Sequence, residues 1–240
     1  MKAKLRKERR ARLEKEANKL QASMPFHIQR AMELAREKGA SALFTVLPLE
    51  RHGFCFKAKR DWRDLVRMRY RLPIRDLPSR CACGKVYSLD HSQICHLGGF
   101  VHMRHDEENR LFAVLAKEAF HDVEIEPPLT KLSGEIFDHK TANMTDEARS
   151  DTRVRNFWGN KANAFFDFRV FYPFANSYVE SKITSLYTEF EKTKEREYKQ
   201  RIREVEDGSF TPMIMSSTGG MGPQMTAALK HLAAKLAEKK

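Results

Sequence analysis

Apolar positions along the chain recur with two different periods, and the change of period divides it into elements. "MKAKLRKERRARLEKEANKL" has charged residues on all sides and reads as a solvated helix over residues 1–22. "PFHIQRAMELAREKGASALFTVLPL" keeps a helical period through Lys38, stops at Gly39 and runs into a short apolar stretch. "AKRDWRDLVRMRYRLPI" predicts another helix, with Trp62, Leu65, Val66, Met68 and Tyr70 toward a core and Pro73 and Pro78 ending it. From residue 107 "EENRLFAVLAKEAFHD" is an amphipathic helix, and "VEIEPPL" a short strand closed by two prolines. "ARSDTRVRNFW" and "NAFFDFRVFYP" alternate like neighbouring strands joined by a "GNKA" turn. A long helix follows in "SKITSLYTEFEKTKEREYKQRIREVEDG", then a strand in "SFTPMIMSS", a "TGGMGP" turn and a last helix to the C-terminus. The order helix, three strands, helix, strand, helix predicts an α/β fold, with helices packed on a central sheet. The expected divisions are a basic helix or tail (1–22), a helical segment (23–79), a cysteine-rich segment (80–106) and the α/β core (107–240).

Charge adds a partner class. The 240 residues carry a formal net charge of +12. Nine Lys or Arg against three Glu in the first twenty residues supply half of that excess. Such a balance favours a polyanion, because each neutralised phosphate releases a counterion. A nucleic acid, DNA or RNA, is the polyanion expected. The basic stretches lack the Trp/Phe/Leu face of an interfacial helix, so an anionic membrane is not expected. No apolar run is long enough to span a bilayer, and no secretory signal is visible at the N-terminus. Four cysteines without an export signal point to reduced thiols, in the nucleus or cytoplasm rather than outside the cell.

Three of those cysteines crowd into "RCACGKVYSLDHSQICHLGGFVHMRHDE". Cys81 and Cys83 are separated by one residue, His91 follows eight residues later, and Cys95 four after that. Thiolates and an imidazole at such spacing supply a closed tetrahedral set, which suits a structural zinc ion. Gly84 frees the backbone to turn beneath it. The competing reading is ordinary buried thiols, and His96 or His102 could stand in for His91. Cys55 reads as a small core residue.

Three acids fall where strands and a helix converge: Glu107 after "RHD", Asp151 in "ARSD" and Asp167 in "FFDF". Strand alternation sets Phe165 and Asp167 on one face and Phe166 and Phe168 on the other. A carboxylate among phenylalanines needs a cation or hydrogen bonds to keep its charge. Asp151 and Asp167 on adjacent strands would make a hard-oxygen site for Mg²⁺ or Mn²⁺ that activates water beside a phosphodiester. Glu107 is a third candidate for the metal shell, or a surface acid at a helix start. Ion pairs with Arg149, Arg153 or Arg169 are the structural alternative for either aspartate.

The motif order "CACG…SLDHSQIC…RHDE…ARSD…FFDFRV…EKTKEREY" resembles the restriction-enzyme-like endonuclease domain at the C-terminus of site-specific non-LTR retrotransposon polyproteins. There a CCHC zinc knuckle precedes an Arg-His-Asn motif and a PD-(D/E)XK nuclease core. The resemblance covers roughly residues 35–240. It implies a zinc knuckle at Cys81, Cys83, His91 and Cys95, and metal-binding carboxylates at Asp151 and Asp167. It further implies Lys194 as the catalytic lysine, with Tyr198 one turn on, and Lys192 and Lys182 as alternatives. Arg104 and His105 would grip backbone phosphates, joined by Arg169. Asp106 replaces the Asn of the motif, Ser150 replaces Pro, and Arg169 stands where the pattern has lysine. The implied function is metal-dependent nicking of DNA, alongside a reverse transcriptase of the same polyprotein. The alternative is a zinc-stapled nucleic-acid binder that has lost the cutting activity.

Overall fold

The computed structural model describes residues 2–42, 59–98, 100–159 and 161–239. Cys55 and the apolar run after Ala42 lie outside the described residues. Two compact units divide the chain, Met1–Pro78 and Ser79–Lys240. In the first, α1 (Lys2–Ser23) has no apolar face, and Leu5, Leu13 and Leu20 are all exposed. After it come α2 (Phe26–Ala35) and α3 (Lys59–Arg69). Here a sequence expectation fails: α3 has no buried residue, and Trp62, Met68 and Tyr70 are exposed. What ties α3 into this unit is polar, since Arg69 Nη2 donates to the Ala35 carbonyl at 2.7 Å.

The second unit contains both the cysteine segment and the α/β core. Its elements are α4 (Leu89–Ile94), α5 (Phe100–Ala119), β1 (Val123–Ile125), β2 (Thr152–Arg155) and β3 (Asn163–Phe171). Then follow α6 (Ile183–Lys194), one π turn (Glu195–Lys199), α7 (Gln200–Val205), β4 (Ser209–Ser216) and α8 (Pro223–Glu238). The strands lie in the order β1-β2-β3-β4, with antiparallel pairs except for the parallel β3–β4 pair. Only that parallel pair needs a crossover, and α6, the π turn and α7 supply it. The result is a four-stranded mixed sheet with helices on both faces.

Alternation along β3 sorts the core as its sequence predicts. Phe166 and Phe168 pack with Phe112 and Ala116 of α5 and with Met225, Ala228 and Leu232 of α8. Phe165 packs on the other face with Ile202 of α7 and Phe210 of β4. Pro212 of β4 pairs in register with Asp167, and the ladder tolerates it because β4 is an edge strand. Gly222 is the N-cap of α8 and offers no side chain, so Glu191 of α6 caps that helix instead, accepting from the Gln224 N–H at 2.9 Å. A Cβ at Gly222 would lie 2.6 Å from that carboxylate oxygen, so a side chain there would push Glu191 off the helix end.

Between β1 and β2 the chain makes a long excursion without helix or strand. Arg201, fully buried, holds it by donating to the carbonyls of Thr130, Asn143 and Thr145 at 2.7–2.9 Å. Replacing Arg201 by methionine keeps the apolar stem but leaves three carbonyls without that donor, at about 1–3 kcal/mol for each that water does not reach. A loss of roughly 3 kcal/mol or more is expected, read from the midpoint of urea unfolding. An unchanged midpoint would mean that the excursion does not depend on this side chain.

Candidate active site and metal centre

The cysteine segment forms a compact loop around α4. Ser88 caps that helix by accepting from the His91 N–H at 3.0 Å, which sets the His91 ring toward the thiols. Gly84 has φ of +82° and makes the turn between Cys83 and Lys85. One ligand atom from each of Cys81, Cys83, His91 and Cys95 lies within 4.8 Å of every other. Cys81 Sγ and Cys95 Sγ are 3.7 Å apart, and Cys83 Sγ and His91 Nε2 are 3.1 Å apart. Tetrahedral zinc with bonds of about 2.3 Å to sulfur needs an S···S edge of about 3.8 Å, which the Cys81–Cys95 pair meets. Cys83 is lowered to about 7, first by a hydrogen bond from the Lys85 backbone, while burial raises Cys95. Three sulfurs and an imidazole fit a metal such as zinc. His96 and His102 stand outside the set, their rings 6.2 Å apart.

Hydrogen bonds couple this loop to the sheet. Arg104 Nη2 donates to the Gln93 carbonyl at 2.8 Å and Nη1 donates to the Gln93 side chain. The Tyr172 hydroxyl donates to Asp90 of α4. Arg104, expected to grip phosphate between the cysteine segment and the core, is half-buried and directs both terminal nitrogens to Gln93 of α4.

Helix α5 begins at Phe100, two turns earlier than the apolar pattern suggested. The "RHD" residues are therefore helical. Glu107 does not open the helix: it is exposed and sits 3.6 Å from Arg110. The physical reason is periodicity. His105, Asn109, Phe112 and Ala116 share the face toward the sheet, and Glu107, two residues from His105, points away from it. The half-buried acid of this turn is its neighbour Glu108, whose pKa burial raises.

Asp151 and Asp167 come together. The β2–β3 ladder ends with Thr152 facing Phe166, and the Asp151 N–H donates to the Phe166 carbonyl at 3.1 Å, which brings Asp151 beside the residue before Asp167. Asp151 lies just before the ladder, where its Oδ2 accepts from the Phe168 N–H at 2.5 Å. Asn109 fixes the backbone there, donating to the Asp151 carbonyl at 3.0 Å. Ser150, buried, donates to the Phe166 carbonyl at 2.7 Å. Neither polar anchor was visible in the sequence, because each depends on which helix covers the sheet.

Each aspartate has a cation. Lys194, the last residue of α6, puts Nζ 2.7 Å from Asp167 Oδ2, a buried oxygen with no well-aligned hydrogen bond. Of the three lysines considered, Lys182 and Lys192 are exposed. His105 Nε2 lies 3.1 Å from Asp151 Oδ2, and its Nδ1 lies 3.2 Å from Asp106 Oδ1. Burial raises Asp167 to about 6, with Asp151 adding to the rise and Lys194 and His105 opposing it. Burial works against the Lys194 charge too, yet Asp167 and Glu197 hold its pKa above the ordinary value. Tyr198, in the π turn, stacks on Phe210 and accepts from Asn143 Nδ2 at 3.3 Å. The Lys194 ammonium stands 5.6 Å from the Tyr198 ring centre. Arg169 lies over the Phe190 ring at 3.9 Å, one strand alternation beyond Asp167.

The His105 pair makes stability depend on pH. Its hydrogen bond to Asp151 raises His105 from 6.5 to about 9 against the opposing effect of burial. A folded pKa above the unfolded one means that the folded state holds the proton more tightly. The pair therefore contributes fully below about pH 6.5, and its contribution disappears as pH rises through about 9. Thermal unfolding followed from pH 6 to 10 should show this decline in the wild type and a flatter profile in His105→Gln. Parallel profiles would exclude the pairing.

The class these observations define is a mixed α/β protein whose sheet carries two neighbouring aspartates beside a Cys/His cluster that could hold a metal such as zinc. No protein-family model and no curated protein matches the chain. Among the described residues no helix is long and apolar enough to cross a membrane.

Proposed function

We propose that residues 79–240 act as a divalent-metal-dependent DNA endonuclease of the PD-(D/E)XK kind, like the domain its motif order resembles in non-LTR retrotransposons. The observation that carries this reading is the nearness of Asp151 and Asp167 at the end of the β2–β3 ladder, where the Asp151 carboxylate meets the Phe168 N–H next to Asp167, with Lys194 against Asp167 itself. The succession α5, β1–β3, α6, β4, α8 supports it, since it follows the order that the resemblance implies. Two carboxylates on one patch repel, and the buried Asp167 oxygen without a well-aligned hydrogen bond suits a cation. Mg²⁺ or Mn²⁺ held there would offset charge on the phosphodiester. Asp151 and Asp167 hold position, because the Phe168 N–H, Asn109 and Ser150 anchor the turn that presents them. Lys194, which stands against Asp167, would orient the attacking water or stabilise the charge that develops on the phosphate.

The test is nicking of supercoiled plasmid with Mg²⁺ or Mn²⁺ against an EDTA control. Metal-dependent conversion to the open circle is expected, and equal product in both arms would overturn the reading. A second reading, a zinc-stapled nucleic-acid binder without cutting activity, is favoured by one observation. Both aspartates already have protein cations as partners, Lys194 and His105. Binding to DNA with no cutting under either metal would establish that alternative.

A further inference from the structure

Beside the two aspartates lies a cleft of about 500 Å³, walled by α4, the start of α5, the C-terminal half of β3 and the chain after it. That volume is within the range of about 300–1,000 Å³ typical of sites that enclose one small ligand. Six basic side chains line the cleft, His96, His102, Arg104, His105, Arg169 and Lys194, and among the described residues no carboxylate does.

The two arginines have neutral partners only. Arg104 is bound to the two oxygens of Gln93, and its Nε is buried with no hydrogen-bond partner. Arg169 sits on the Phe190 ring, with Nη2 3.4 Å from the Tyr178 hydroxyl. Guanidinium groups partly removed from water without an anion are costly, and an anion from outside offsets that cost. Flat surfaces accompany the charge. His96 and His102 are exposed, and Tyr178 is half-exposed on the same cleft. Cations next to ring faces suit a phosphate that carries a base.

We infer that this cleft receives one unpaired nucleotide of the substrate strand, its phosphate between Arg104 and Arg169 and its base against His96, His102 and Tyr178. The inference rests on the endonuclease reading for the identity of the strand as substrate. It extends that reading from DNA in general to DNA opened at the cut. A paired base must first leave its stack, at a cost of a few kcal/mol, and a mismatched or single-stranded base does so more cheaply.

The experiment uses the full chain and three labelled DNAs of one sequence: a duplex, the same duplex with a two-nucleotide mismatch, and the single strand. Binding is followed by fluorescence anisotropy in EDTA, and cutting by gel in Mg²⁺. The mismatched and single-stranded DNAs should bind about tenfold more tightly than the duplex. Arg169→Gln should weaken binding of the mismatched and single-stranded DNAs by about tenfold more than it weakens duplex binding, which abolishes that preference. His102→Ala, a change at an exposed side chain, should reduce it and serves as the second variant should Arg169→Gln fail to fold. Equal binding of all three DNAs, or a preference unchanged in the folded variants, would overturn the inference. The two readings fail separately. A preference without cutting removes the endonuclease and keeps the nucleotide site, whereas cutting without a preference does the reverse.

Discussion

Asp167→Asn is expected to lower metal-dependent nicking by about 10³-fold or more, because it removes a metal ligand and the charge that would hold the ion. The substitution also has a folding consequence. Asp167 is 4% exposed and contacts Lys194 at 2.7 Å, so the asparagine leaves a largely buried ammonium without its counter-charge. Breaking a buried pair from one side costs about 3–5 kcal/mol, and replacing both partners with uncharged groups is often close to neutral. The double variant Asp167→Asn/Lys194→Met should therefore be more stable than the single one while remaining inactive. Thermal unfolding and plasmid nicking on the set of variants separate loss of chemistry from loss of fold. Asp151→Asn should also abolish nicking, since Oδ2 of Asp151 faces both His105 and the Phe168 N–H. DNA binding, which depends on the basic surface, should persist in all of them. A folded Asp167→Asn protein that nicks at the wild-type rate would sink the active-site assignment.

The second large effect is expected from the metal centre. In residues 79–98 only Ser92 and Cys95 are buried, so this stretch has almost no apolar core of its own. A segment of that kind folds on a bound ion, whose binding free energy becomes folding free energy. One zinc per chain should be released on thiol oxidation and detected colorimetrically. Strong chelators or Cys95→Ser should lower stability by several kcal/mol, which in a unit of this size is about 10 °C or more in Tm. The damage should reach the cleft, because α4 supplies Gln93 to Arg104 and Asp90 to Tyr172. Absence of metal in the purified protein, with no thermal shift on adding zinc, would contradict this assignment.

Both experiments bear on one physical arrangement. α4 fixes Arg104, α5 carries His105 to Asp151, and α6 ends at Lys194 where the helix widens into a π turn. Such insertions recur at functional sites because they turn side chains that a regular helix would keep out of line. Lys194 and Tyr198 thus face the sheet just before Arg201 and Ile202 anchor the helix to it.

What the chain by itself determined was whatever depends on near neighbours. The period-two alternation around Asp167 was enough to put Phe165 and Phe166 on opposite faces, because a strand has no other way to turn its side chains. The spacing of Cys81, Cys83 and Cys95 was enough to group three thiols with a histidine, because a short loop keeps them close, while the fold chose His91 over His96 and His102. The succession of helices and strands followed from the same periods. Only the tertiary structure decided what depends on contacts between distant residues. The register of β2 on β3 chose Asp167 as the partner of Asp151, and the crossover helix chose Lys194 over Lys182 and Lys192. The rotation of α5 brought His105 and Asn109 to the sheet and left Glu107 in water. Arg104 and Arg201 show the same limit, for a long cationic side chain reads as surface until the fold supplies carbonyls for its guanidinium to meet.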